Sequence, residues 1–180
     1  MNMNKLRYTF MLLLLLGLVA CDEKAAPANV QQPTTATGNS QFSSGIETLK
    51  ARLAMNPNDF AALSSLADMY FESSQYIDAF NTYDKAIAVN PMCADCYNDR
   101  GLTLFYLGDV VSALESFDRA IAIDPGYKHA WLSKGYVLTS ERRYAEAVTP
   151  LNKVKELDGM GPLAQQADKF LAMAANAANQ

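Results

Sequence analysis

The chain has 180 residues, of which 50% are hydrophobic, 10% aromatic and 19% charged, and its formal net charge is −4. This composition is typical of a globular domain, and its acidic balance argues against a nucleic-acid partner, because phosphate contacts need a basic face. With one histidine and three cysteines, we expect no histidine-rich metal site and no dense disulfide scaffold.

Residues 1–20 predict a secretion signal. Lys5 and Arg7 precede an uncharged apolar run over residues 10–20. The run is shorter than the about 20 residues that span a bilayer, and it has the length of a signal-peptide core. It ends in the sequence LVAC, whose last residue is Cys21 and which resembles the lipobox of bacterial lipoproteins.

The lipobox resemblance implies that the signal is cut before Cys21 and that this cysteine carries a covalent lipid. Several acyl chains would anchor the protein stably to a membrane, and we expect no other cofactor. In many Gram-negative lipoproteins an aspartate at the position of Asp22 resembles an inner-membrane retention signal. It therefore favours the inner membrane, with the outer membrane as the alternative. An ordinary signal peptide with a chance cysteine and an uncleaved anchor are the competing interpretations.

Residues 21–42 predict a disordered tether. The segment is polar and low in complexity, and it contains Pro27, Pro33 and Gly38. Such a segment buries too little apolar surface to offset the entropy lost on ordering.

The rest of the chain matches itself at a shift of about 34 residues. The aligned columns hold Leu63, Tyr97 and Trp131; Ala67, Gly101 and Gly135; Tyr70, Leu104 and Leu138; Ala79, Ala113 and Ala147; Tyr83, Phe117 and Leu151; Ala86, Ala120 and Val154; and Pro91, Pro125 and Gly159. This order of large, small, aromatic, Ala, aromatic, Ala and Pro resembles the tetratricopeptide repeat (TPR) family, whose repeat is a pair of antiparallel helices.

The resemblance implies an all-α fold, a helical-hairpin solenoid of three TPR repeats within a domain over residues 43–178. The repeats are expected at about 60–93, 94–127 and 128–161, and apolar stripes predict capping helices at about 44–55 and 162–176. The six helices of the repeats are predicted near 60–72, 76–89, 94–106, 110–123, 128–140 and 144–157.

In the TPR family the first helix of each pair lines the concave face, and here that face mixes aromatic and acidic side chains. The predicted partner-binding groove consists of Asp68, Phe71, Asp95, Asn98, Asp99, Leu102, Phe105, Tyr106 and Tyr136. Such a groove suits an extended or helical peptide with basic and apolar side chains. The alternative is that these carboxylates form an ordinary solvated face.

Some TPR domains hold a partner's C-terminal carboxylate with Lys, Asn and Arg. Asn98 matches one of these positions, whereas Ser64, His129 and Ser133 occupy positions that are basic in such domains. We therefore do not expect capture of that kind.

Cys93 and Cys96 lie at the start of the second repeat. Three interpretations remain open: a structural disulfide, two inert thiols, and a redox or metal site. Outside the cytoplasm such a pair usually forms a disulfide, whereas a helix N-terminus lowers a thiol pKa and favours reactivity.

The sequence thus predicts a membrane-anchored TPR adaptor or scaffold lipoprotein that binds a protein or peptide partner in the bacterial cell envelope. Assembly of an envelope complex is one such role. The alternative is a thiol-handling or disulfide-stapled envelope protein that uses Cys93 and Cys96. A lipoprotein spacer without a specific partner is a third. We expect no enzyme, because the single histidine, His129, leaves no catalytic set to assemble.

Overall fold

The computed structural model describes residues 36–178, and in this range the regular structure consists of eight α-helices without strands. They are α1 (Ala36–Met55), α2 (Phe60–Glu72), α3 (Tyr76–Val89), α4 (Ala94–Tyr106), α5 (Val110–Ile123), α6 (Lys128–Ser140), α7 (Tyr144–Asp158) and α8 (Pro162–Ala178). The predicted signal peptide, Cys21, Asp22 and the tether up to residue 35 lie outside the described residues. No helix in residues 36–178 combines the length and apolar character that a membrane crossing needs.

The predicted all-α solenoid is confirmed. The pairs α2/α3, α4/α5 and α6/α7 form three successive hairpins, and their helices begin and end within one residue of the predicted bounds. The terminal helices are longer than predicted, because α1 already begins at Ala36 and α8 continues to Ala178. No proline interrupts the chain between Pro33 and Pro57, and Phe42 packs on the first core cluster, so the helix extends into the segment expected to be tether.

The turn inside each hairpin has the same backbone geometry. Ser74, Gly108 and Arg142 occupy the same place in successive repeats and have φ of 62°, 87° and 58°. Glycine alone adopts this left-handed conformation without a steric cost. One residue later the N–H donates back to a carbonyl five residues earlier, in Gln75 to Tyr70, Asp109 to Leu104 and Arg143 to Leu138.

Close contact between the two helices of a hairpin depends on the column of small residues. A methyl group on Gly101 would lie 2.6 Å from Cε1 of Phe117, and one on Gly135 would lie 2.4 Å from Cδ2 of Leu151. Phe117 and Leu151 are both fully buried. The small residues therefore let large side chains of the second helix fill the space between the helices.

Ion pairs connect neighbouring repeats at a position where the first repeat has Leu66. Arg100 Nε donates to Asp84 Oδ1 at 2.6 Å, and one repeat later Lys134 pairs with Asp118. The Arg100 guanidinium also lies 4.9 Å from the ring centre of Phe80. These basic residues thus act between repeats, with their stems packed and their charges paired.

We predict that Gly101→Ala destabilises the protein by about 2 kcal/mol, because the added methyl group overpacks against the Phe117 ring. Helix propensity alone predicts the opposite sign, since Ala is favoured over Gly by about 0.5–1 kcal/mol inside a helix. Urea unfolding measures the difference. Phe117→Leu, made alone and with Gly101→Ala, tests the contact, and the double variant should be more stable than the sum of the two effects. A stabilised Gly101→Ala protein would contradict the packing assignment.

Candidate functional site

Six aromatic rings form a continuous row across the repeats and onto α8. This aromatic row consists of Tyr76, Phe71, Tyr106, Phe105, Tyr136 and Phe170. The rings of Tyr76 and Tyr106 stack with centres 5.0 Å apart, and Phe71 packs edge-on against both. Edge-on and offset contacts are the favourable geometries for such rings, so the row holds its members in fixed positions.

Two adjacent residues of the aromatic row, Phe105 and Tyr106, differ in their exposure to solvent. Phe105 is only 5% exposed and packs in a core cluster with Phe117 and Val137, whereas Tyr106 is 48% exposed. The structure therefore corrects the assignment of Phe105 to a partner-binding surface, because its ring has little surface to offer. Tyr76 and Phe170 were not predicted as groove residues, since one begins a second helix and the other lies on the C-terminal helix.

Three carboxyl groups, Asp68 on α2 and Asp95 and Asp99 on α4, form an acidic cluster between the first helices of the first two repeats. The hydroxyl of Tyr83, on α3, donates to Asp68 Oδ1 at 2.7 Å. The hydroxyl of Tyr127, which precedes α6, donates to Asp95. Side chains from two other segments thus hold two of the three predicted carboxylates in place.

Asp99 is the carboxyl group most affected by this environment. Burial, followed by the charges of Asp95 and Asp68, raises the pKa of Asp99 to about 7. A hydrogen bond from Asn98 Nδ2 to Asp99 Oδ1 at 2.9 Å acts in the opposite direction. Burial likewise raises the pKa of Asp68, and the Tyr83 hydrogen bond opposes it. Within residues 36–178 no ion pair offsets the mutual repulsion of these carboxyl groups.

Asn98 lies beneath the surface that was predicted to bind a partner. Its side chain is 4% exposed, and its Oδ1 atom is buried without a hydrogen-bond donor. Of the other predicted groove residues, Leu102 is half-buried against the third core cluster, and Phe71 and Tyr136 are half-buried in the aromatic row. His129 is exposed, with its ring centre 5.7 Å from that of Tyr127.

Cys93 and Cys96 are joined in a disulfide, with their sulfur atoms 2.06 Å apart. Cys93 is the N-cap of α4, where its sulfur accepts the backbone N–H of Cys96 at 3.0 Å. Cys96 is 2% exposed and belongs to the first core cluster. The bridge therefore lies at the start of the helix that carries Asp95 and Asp99. Among the described residues no group of three or more His, Cys, Asp or Glu is arranged to hold a metal ion.

The raised pKa of Asp99 makes stability depend on pH. A carboxyl group whose pKa is raised on folding favours the folded state at low pH, and this contribution is lost as the pH rises towards 7. We predict that Asp99→Asn, which stays neutral, is nearly as stable as the wild type at about pH 4 and more stable by about 4 kcal/mol at about pH 8.

Urea unfolding at both pH values measures this gap. Glu115→Gln is the matched control, because Glu115 is an exposed carboxylate on α5 outside the cluster, and it should show no such change with pH. A gap of equal size at both pH values would contradict the assigned environment of Asp99.

Comparisons with known proteins agree with this architecture. The family model described as tetratricopeptide repeat matches residues 94–127, which are α4, α5 and the loop that follows them. A comparison with curated protein sequences found no match.

Several solved structures are similar to this chain. One is the TPR2B domain of yeast Sti1 in a complex with an Hsp70 peptide, at 23% identity and a TM-score of 0.62, covering 65% of this chain and 96% of that one. The first TPR domain of Spaghetti (RPAP3), bound to the HSP90 peptide SRMEEVD, has 21% identity and a TM-score of 0.62, covering 67% and 94%. MamA has 21% identity and a TM-score of 0.62, covering 78% and 90%.

At these identities the solved structures establish the fold, and the family match locates one repeat in the sequence. The matched repeat is the one that carries Asp95, Asn98 and Asp99. The chain therefore contains a tetratricopeptide repeat at residues 94–127, and its described helices have the tetratricopeptide-repeat fold.

Proposed function

We propose that this protein is a membrane-anchored adaptor whose TPR groove binds a protein or peptide partner in the bacterial cell envelope. The observation that carries this proposal is the acidic cluster together with the exposed ring of Tyr106, which follows Asp99 by about two turns on α4. Stacked helical repeats present extended concave surfaces of this kind to their partners. Exposed aromatic side chains usually contribute most of the binding energy, and charges select the partner.

Two of the similar structures contain peptides, the Sti1 domain with its Hsp70 peptide and the Spaghetti domain with SRMEEVD. These complexes support peptide binding as the use of the groove here. The chemistry of the peptide differs in our proposal. Ser64, His129 and Ser133 stand where a carboxylate clamp would be basic, and the acidic cluster repels an acidic peptide such as SRMEEVD.

The membrane part of the proposal is supported by the sequence alone. The apolar run that ends at Cys21 favours a lipid anchor on that cysteine, and Asp22 favours the inner membrane over the outer membrane. In this arrangement the groove acts on the periplasmic side of the membrane. We propose binding and scaffolding rather than catalysis as the activity.

We predict that Tyr106→Ala reduces capture of the partner by about fivefold or more, because it removes the exposed ring of the aromatic row. Cross-linking in native membranes, followed by purification and mass spectrometry, measures capture. Ile77→Ala is the matched control, since Ile77 is an apolar residue on the second helix of its hairpin and is 68% exposed.

If Tyr106→Ala captures the partner as well as the wild type does, the groove is not the partner-binding site. A Cys21→Ser arm of the same experiment tests the anchor, and this variant should leave the membrane fraction. If it remains there, the lipid anchor is wrong.

The alternative function, which uses Cys93 and Cys96, is favoured by one observation: the two sulfurs form a disulfide at the start of α4. Cys96 is buried in the first core cluster and Cys93 is half-buried against it, so external thiols have restricted access to both sulfurs. This burial supports a structural bridge over a thiol-exchange site.

We predict that reducing the Cys93–Cys96 disulfide destabilises the fold by about 2 kcal/mol. This is the conformational entropy that so short a disulfide loop removes from the unfolded chain. Unfolding curves of the oxidised and the reduced protein measure the difference. Reduction by dithiothreitol should be much slower in the folded protein than in the same chain in denaturant. Equal rates in the two states would favour the exchange function.

A further inference from the structure

The three carboxylates of the acidic cluster lie close to one another, and none of them has a cationic partner among the described residues. Several other aspartates are paired: Asp59 with Arg52, Asp84 with Arg100, Asp118 with Lys134, Asp158 with Lys128 and Asp168 with Lys155. Within residues 36–178, no Lys, Arg or His lies within 4.0 Å of the carboxylates of Asp68, Asp95 or Asp99. The folded chain thus leaves these three charges without compensation.

Each carboxylate of the cluster has a neutral donor instead. Tyr83 donates to Asp68, Tyr127 donates to Asp95, and the amide of Asn98 donates to Asp99. An ionised carboxylate accepts about four hydrogen bonds, so most of its lone pairs remain unused here. The site therefore offers acceptors and needs donors that carry positive charge.

Asn98 provides a second, independent indication of a missing donor. Asn98 lies three residues after Asp95, so both are on the same face of α4. Its carboxamide contacts the cluster through Asp99, and the oxygen of the same group is buried with no donor. A buried acceptor without a partner costs about 1–3 kcal/mol, and such atoms are uncommon in folded proteins.

This arrangement occurs at one place in the described solenoid. The positions equivalent to Asp95 and Asp99 hold Ala61 and Ser65 in the first repeat. In the third repeat they hold His129 and Ser133. The cluster is therefore a local feature of one repeat boundary and not a property of an acidic surface in general.

We propose that the acidic cluster and Asn98 bind the guanidinium group of one arginine side chain on an extended segment of the partner. The inference rests on the proposed function, in which the groove takes a peptide, and it names the peptide's anchoring residue. Arginine fits because its five N–H donors form a planar fork that reaches several acceptors at once, whereas a lysine ammonium has three donors and is more strongly hydrated. A metal ion does not fit, since no described group of carboxylates has the arrangement to coordinate one.

The titration of Asp99 supports this proposal. The titratable groups that face Asp99 are Asp95 on its own helix, Asp68 on α2, Tyr83 on α3 and Tyr127 before α6. A bound guanidinium favours the ionised form of Asp99, whose pKa in the free protein is raised to about 7. Binding therefore releases a proton, and the affinity for arginine should increase from about pH 6 to about pH 8.

The test uses two small probes, acetyl-arginine-amide and its neutral isostere acetyl-citrulline-amide, with acetyl-lysine-amide as a third. Nuclear magnetic resonance of the ¹⁵N-labelled protein follows the side-chain amide signal of Asn98 during titration at millimolar concentrations. We expect this signal to shift with arginine, less with lysine, and not with citrulline. Equal shifts with citrulline and arginine would overturn the proposal, as would lysine binding at least as tightly as arginine.

Variants connect the response to the cluster. Asp99→Asn and Asp68→Asn should each weaken arginine binding by about tenfold, and Glu115→Gln, outside the site, should leave it unchanged. Asp99→Asn should also abolish the increase in affinity with pH. The comparison is repeated with His129→Asn, because this exposed imidazole lies beside Tyr127. A pH effect that disappears with His129→Asn alone would overturn the role of Asp99.

The outcomes separate this inference from the proposed function. If Tyr106→Ala abolishes capture in membranes while the probes show no preference for arginine over citrulline, the adaptor stands and the arginine site is wrong. If arginine binds at Asn98 and Asp99 but nothing is captured in membranes, the site stands and the adaptor is wrong. If Asp99→Asn lowers capture to the same extent as it lowers probe binding, both are supported.

Discussion

The close approach of the two helices in each hairpin is the contact on which the rest of this structure depends. In the second and third repeats a glycine faces a fully buried side chain of the opposite helix, Phe117 or Leu151, at a distance that leaves no room for a methyl group. This contact fixes the spacing within a hairpin. Repetition of the same spacing then places α2, α4 and α6 side by side, so that residues from different repeats meet on one face.

Because a few recurring positions in each repeat hold the fold together, the other positions are free to carry function. Between repeats, Arg100 and Lys134 pair with aspartates, so charge there contributes to assembly of the solenoid. Between α2 and α4, Asp95 and Asp99 lie near Asp68, and no cation of residues 36–178 is paired with them. The protein thus tolerates repulsion at one boundary while it neutralises charge at the neighbouring contacts. Such local conflict within a consistent fold is expected where a protein binds something else.

The sequence predicted the helices to within one residue in the three repeats, because recurring small residues and prolines mark the phase of each helix. The sequence did not predict which side chains are buried where burial depends on contacts between helices that are distant in the chain. Phe105 and Tyr106 are adjacent aromatic residues, and only the packing against Val137 reveals that the first is buried. The unpaired oxygen of Asn98 likewise depends on the groups around it. The early start of α1 was missed because a polar composition resembles a linker even where helix continues.

The aromatic row crosses the boundary between the first and second repeats, then the next boundary, and finally reaches Phe170 on α8. A solenoid behaves approximately as a one-dimensional array, in which intrinsic terms for each unit compete with coupling terms between neighbours. Ring contacts of this type contribute about 0.5–1.5 kcal/mol each beyond their buried area. These contacts strengthen the coupling between neighbouring repeats at successive boundaries. A local unfolding event therefore extends over more repeats, and the terminal repeats unfold together with the central one more often than alone.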